Sequence, residues 1–221
     1  MNKSALIIAG LVLGAAGAWA ADTVAAPPHG GPFTPRGGTD ATLELAWDNG
    51  VPFADAGAFF TGADKWGGVD FDITTLSSYH YVASGKIYYW PGFPNNEFEG
   101  NRMAVWSFVG GNPGSILHGP TFVRATAFGW NAYAADYNLG ATTAFVLGFE
   151  QYYNYPYCDP IYTMSSTGTP SHSWYYYGGV WRPMNQMGYG NYPLMYRAIM
   201  NDTGFAAVAP TSFGRVKAMY R

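Results

Sequence analysis

Carboxylates, histidines, a lone thiol and a dense run of aromatic rings are the only side chains in this sequence whose types and spacing could do chemistry. Glycoside hydrolysis needs two carboxylates across a sugar-sized gap. Glu97 and Glu99, in the stretch NNEFEGN, would share one side if locally extended. That stretch reads more simply as a solvated loop, where acids usually sit. The four histidines, His29, His80, His118 and His172, form no HExxH or other paired zinc spacing. Ser171, His172 and Ser173 place hydroxyls beside a base, yet neighbours along a strand point to opposite faces and do not form a catalytic pair. No G-x-S-x-G elbow and no phosphate-cradling glycine loop is present. No catalytic residue is assigned, and the expectation is that this is not an enzyme.

For metals, Asp70 and Asp72 fall on one strand face, while Asp136 and Asp159 sit at loop positions near Asn138 and Asn154. Such oxygen ligands would suit calcium, but no EF-hand or repeat marks a site, and solvated acids are the favoured reading. No cofactor is expected. Cys158 is the single cysteine, which excludes an intramolecular disulfide and reads as a small buried or loop thiol.

The aromatic span from 151 to 181 is the stronger signal. It holds Tyr152, Tyr153, Tyr155, Tyr157, Trp174, Tyr175, Tyr176, Tyr177 and Trp181 beside Gln151, Asn154 and Asp159. Ring faces stack on sugars or grip peptides, and neighbouring amides and carboxylates orient the ligand. The candidate ligand-binding set is Tyr152, Tyr153, Tyr155, Asp159, Trp174, Tyr176 and Trp181. Alternation puts Trp174 and Tyr176 on one strand face and Tyr175 and Tyr177 on the other, so one set serves a ligand at most. The competing reading is that half these rings fill the core and the rest shield sheet edges.

The elements that must position these rings read as strands. Charged residues are only 11% of the chain, against ~25% in ordinary domains, and 29 Gly accompany 18 Tyr, 14 Phe and 8 Trp. That balance suits an extracellular β-protein with aromatics in strands and glycine in turns. With formal net charge -3 and no basic patch, nucleic acid is excluded as an expected partner.

Residues 1–20 read as an export signal, with Lys3, an apolar run from Ala5 to Leu13 and a small-x-small site at Ala18-Trp19-Ala20. The run is shorter than the ~20 residues of a membrane span, so the expectation is an exported, extracellular or bacterial cell-surface protein with no span after cleavage. Residues 21–40 read as a flexible Pro/Gly-rich arm, 41–204 as the folded domain, and 205–221 as a final strand or a sorting or attachment tail.

Within 41–204, ATLELAW alternates and is closed by Asn49-Gly50, a strong turn signal. Lys65 to Gly68 read as another turn, VDFDITTL and SSYHYVAS as strand, Gly85 as a turn, and RMAVWSFVG as a buried strand. The cluster Gly110 to Gly114 reads as a breaker, SILHGPTFVRA and AFGWNAYAADY as short strands, and PLMYRAIM as the last. Long runs of helical spacing are absent, which predicts a single all-β sandwich of jelly-roll type with little helix.

In order and spacing, AVWSFVGGNPGSILHGP, TTAFVLGFEQ, SHSWYYYGGVW and LMYRAIM resemble a recurrent secreted bacterial β-sandwich module. Its marks are G-G-x-P-G-x-x-L, F-x-x-G-F-E-Q, S-W-Y-Y-x-G-G-x-W and L-M-x-R-A, and the resemblance runs roughly from Asp70 to Asn201. It implies a jelly-roll domain of an exported protein, of a kind often attached to peptidases or near sorting sequences. It implies no particular activity, and no peptidase sequence accompanies it here. The expected function is a non-catalytic binding or adhesion module that recognises glycan, cell-wall material or a protein surface. The alternative is a structural protein that self-associates.

Overall fold

The computed structural model describes residues 42–55, 65–76, 78–90, 100–126, 128–153, 157–187 and 192–202. The proposed signal, the arm and the tail from 205 lie outside them, as do Glu97, Glu99 and Tyr155.

Twelve strands follow one another. They are β1 (Thr42–Leu45), β2 (Pro52–Asp55), β3 (Trp66–Asp72), β4 (Tyr81–Tyr89), β5 (Asn101–Val109), β6 (Asn112–Val123), β7 (Gly129–Asn138), β8 (Ala144–Gln151), β9 (Thr163–Ser165), β10 (Ser173–Tyr177), β11 (Val180–Pro183) and β12 (Tyr196–Asn201). Among the described residues the only helical pieces are two short 3-10 turns, at Pro170–His172 and Met184–Met187. None of the described helices is long and apolar enough to cross a membrane, which says nothing about crossing by strands.

A four-stranded sheet runs β1-β12-β4-β7, and a six-stranded sheet runs β11-β10-β3-β8-β5-β6. All pairings within them are antiparallel. Leaving out the β2-β9 pair and the β10-β11 hairpin, the remaining eight strands lie β1-β12-β4-β7 and β3-β8-β5-β6, the strand order of a jelly roll, the expected architecture. The hairpin is an insertion that widens one sheet. It turns on Gly178 and Gly179, both at positive φ (62° and 82°), as a tight two-residue connection requires.

Alternation builds the core. Val69 and Phe71, Val82 and Ile87, Met103 and Val105, Phe145, Leu147 and Phe149, and Tyr196, Ala198 and Met200 face inward from the two sheets as one apolar cluster. Burying such side chains contributes ~1.5–3 kcal/mol each and carries the fold without a disulfide.

Two expected turns are strand instead. Gly67 and Gly68 lie inside β3, and Gly85 lies mid-β4. A Cβ at Gly85 would sit 2.6 Å from Met103 Sδ and 2.7 Å from Leu147 Cδ1. Glycine here makes room for a side chain from the facing sheet; it does not bend the chain. The breaker cluster is likewise shorter than expected, since only Gly110 and Gly111 turn (φ 61° and 79°) and β6 resumes at Asn112.

The outer face of the four-stranded sheet carries an ion network. Arg197 binds Asp48 through Nε (3.0 Å) and Nη2 (2.6 Å) and Glu44 through Nη1 (2.6 Å), and Lys86 reaches Glu44 at 2.7 Å. The Trp130 ring lies 4.2 Å from the Arg197 guanidinium. Burial pushes the Glu44 carboxyl up, but the hydrogen bonds and charges of Lys86 and Arg197 outweigh it and hold the group below its ordinary 4.5. A depressed folded-state value means stability that is present above the unfolded value and lost as pH falls through the folded one. Glu44→Gln is therefore expected to narrow the stability difference between pH 7 and pH 3 in urea titrations. An unchanged pH dependence would show that the network does not couple folding to Glu44.

Candidate functional site

The predicted ring residues divide into two groups on the outer face of the six-stranded sheet, and the sheet register explains why. Trp181 pairs with Tyr176, Tyr176 with Trp66, Trp66 with Glu150, Glu150 with Arg102, and Arg102 with Phe122. One transverse row thus crosses all six strands. The next row inward is small, Gly68 beside Gly148 beside Ala104, and indoles close over it. A Cβ on Gly148 would lie 2.9 Å from Trp106 Nε1, and one on Gly68 would lie 3.0 Å from the Trp181 ring.

The first group is a second, external core. Trp106 stands edge-on between Trp66 and Trp181, with centroids 5.2 Å away on each side and interplanar angles of 78° and 86°. Tyr176 lies 5.3 Å from Trp181 and 6.0 Å from Trp106. Trp66, Ala104, Trp106 and Val146 are buried, with Phe108, Tyr176 and Trp181 packed against them. Among the described residues the buried Trp106 indole nitrogen has no hydrogen-bond partner.

Trp174, predicted as a contact residue, is buried in this layer and packs 5.8 Å from Phe108. Its indole donates to Asp70 Oδ1 at 2.6 Å. Asp70 Oδ2 shares a 2.7 Å hydrogen bond with His172 Nδ1, and His172 stacks flat on Trp47 at 3.9 Å. Trp47 in turn donates to the Asp70 carbonyl at 2.7 Å. Asp70 is therefore occupied as a buried anchor that pins β10 and the β1-β2 connection onto β3, while Asp72 is exposed and caps Thr74 N at 2.8 Å. Asp70 and Asp72 do share a face, but they converge on no common ligand. Among the described residues no group of three or more His, Cys, Asp or Glu side chains is placed to hold a metal.

An aspartate-oriented imidazole is also part of a hydrolytic triad. The third member is missing among the described residues, because no hydroxyl or thiol bonds to His172. Ser173 Oγ is buried and accepts from Leu194 N at 3.0 Å. Cys158 is buried, with Sγ 2.7 Å from the Tyr153 carbonyl oxygen. Burial and the nearby Asp159 charge push its thiol up to about 12, a direction that disfavours the thiolate.

The second group is open to solvent. Tyr153 and Tyr157 are 48% and 55% exposed, and Phe122 is 45% exposed. Tyr152 lies 4.8 Å from Tyr153 and 5.4 Å from Phe122, edge to face. The Arg102 guanidinium sits 4.0 Å over Tyr152 and 5.8 Å from both Phe122 and Trp66. Its Nε donates to Glu150 Oε2, whose side chain is wholly buried. Asp159, by contrast, is 1% exposed; its main chain exchanges hydrogen bonds with the Asn101 amide at 2.7 and 3.0 Å. It is a buried residue whose main chain ties its loop to the start of β5, not an exposed contact group.

The ring set predicted from sequence thus contributes Tyr152 and Tyr153 to an exposed patch and Tyr176 and Trp181 to a partly exposed one. Trp66, Arg102, Trp106, Phe122 and Glu150 were missed. Only their cross-strand register unites them, and the sequence offers a strand pattern but not its neighbours.

No family model matches the chain, and neither the curated proteins nor the solved structures yield a match. The class that the structure defines is an all-β jelly-roll sandwich with a widened, aromatic-faced sheet.

Proposed function

We propose that this chain is a non-catalytic, exported binding module that takes up glycan or cell-wall material on the aromatic outer face of its six-stranded sheet. The observation that carries the reading is exposed Phe122 and Tyr153 flanking half-buried Tyr152, whose ring lies under a guanidinium bonded to a buried carboxylate. Half-exposed rings offer apolar faces to sugar C–H groups, and their fixed setting on strand ends lowers the entropy lost on binding. Burial, which pushes the Cys158 thiol up, weighs against a nucleophilic role for that residue.

Self-assembly through a sheet edge is the second reading. Against it, the edge strands β1 and β11 are four residues each and edge strand β6 carries Pro113 and Pro120, which leaves the ten-residue β7 as the one long, proline-free edge. Short and proline-bearing edges resist strand addition.

The test is a binding screen of the purified protein against polysaccharides and cell-wall fractions, with and without calcium. Saturable binding is expected, and Tyr153→Ala should weaken it about tenfold, ~1.4 kcal/mol, with unchanged circular dichroism. A flat response across the panel removes the glycan reading, and concentration-dependent growth in size would put self-assembly first.

A further inference from the structure

The transverse row defines what shape of glycan fits, an inference that rests on the binding reading above. Trp181, Tyr176, Trp66, Glu150, Arg102 and Phe122 are register partners, one from each strand of the sheet. Five strand spacings separate the ends of the row, about 24 Å. Rings lie at both ends, Trp181 and Tyr176 at one and Phe122 at the other. The middle is closed, with Trp66 3% exposed and the Glu150 side chain wholly buried beneath Arg102.

We propose that the ligand is a linear, uncharged polysaccharide lying across the strands and touching both ends of this row at once. The row is longer than a monosaccharide or a disaccharide, so a short sugar can meet one end only. Its two formal charges, on Arg102 and Glu150, are paired with each other, which offers an uncharged chain no unmatched ion to desolvate. The acids of the Glu44 and Asp48 network lie on the other sheet and play no part here. Two ends engaged together act as linked sites, so affinity rises steeply once a chain spans them.

The experiment is isothermal titration of the full chain with a neutral oligosaccharide ladder, from disaccharide to polymer, drawn from the polysaccharide that binds best in the screen. The expected result is a rise of at least tenfold at the length that reaches both ends. Trp181→Ala and Phe122→Ala should each abolish that rise while leaving the weak short-chain affinity of the other end. Phe122 is 45% exposed and outside the core, so its variant tests the inference even where Trp181→Ala fails to fold. Affinity independent of length, or insensitivity to Phe122→Ala, overturns the transverse mode and leaves glycan binding intact. Preference for a uronic-acid polymer over its neutral counterpart overturns the uncharged assignment. Binding of no glycan at all defeats the underlying reading instead. A Phe122-dependent dimer would also overturn the proposal and assign the row to a second copy of the chain.

Discussion

Arg102→Ala is expected to destabilise the protein by about 3–5 kcal/mol, the range for removing one partner of a buried ion pair. The Glu150 side chain has no solvent exposure, while that of Arg102 retains 19%. Deleting the arginine takes the cation away from a desolvated carboxylate and strips the guanidinium from the Tyr152 face, 4.0 Å away. The pair bridges β8 and β5, with edge strand β6 on the far side of β5, so both its strands have neighbours on each side. Urea unfolding measures the loss. The double variant Arg102→Met, Glu150→Met should recover most of it, because replacing both charges by apolar groups removes the uncompensated desolvation. A single-variant loss below about 1 kcal/mol would show that Arg102 is not what holds the buried carboxylate, since exposed pairs contribute that little.

Gly67→Ala is the second large effect, and its sign is informative. Strand propensity alone favours alanine, as glycine in a strand costs about 0.5–1 kcal/mol. Here the new methyl would fall on the Tyr196 hydroxyl and come within 3.2 Å of Tyr162 Cε1. Tyr196 is fully buried in β12 and donates its hydroxyl to the Ile161 carbonyl at 2.7 Å. The substitution must displace that ring, at about 1–3 kcal/mol for overpacking and about 1 kcal/mol for the strained hydrogen bond. A net loss of roughly 2 kcal/mol in urea midpoint experiments is expected. Adding Tyr196→Phe to Gly67→Ala should make the pair less harmful than the sum of the singles, since removing the hydroxyl makes room. Strict additivity would mean that the two groups do not meet.

These residues also show where sequence reading stops. Alternation in VDFDITTL and RMAVWSFVG, and the Gly-Gly turns at 110–111 and 178–179, made the strands and the all-β class legible, because both signals are local. Gly67, Gly68 and Gly85 misled for the opposite reason. Each looks like local freedom, but each is required by a ring or a methyl group arriving from a distant strand. The candidate site behaved similarly. Period two correctly put Trp174 and Tyr176 on one face, but it could not show that Asp70, more than a hundred residues earlier, draws the Trp174 indole under cover. Arg102, flanked by Asn101 and Met103, gave no sign of its buried partner, since the pairing exists only once β5 lies beside β8.

The position of β12 has a kinetic consequence. The last described strand is inserted between β1 and β4 rather than added at an edge, so Thr42 finds its partner only in Asn201. A chain emerging from its N-terminus can form the β5-β6 hairpin early, but β1 has no neighbour and β4 has one free side until β12 arrives. Loop closure of that span must precede the contacts that reward it, which places the chain among slow, high-contact-order folders. Vectorial emergence therefore holds the four-stranded sheet open until nearly the whole domain is out. In that interval the chain can still be threaded or captured, and truncation before Tyr196 should leave the four-stranded sheet without its central pairing rather than merely shortened.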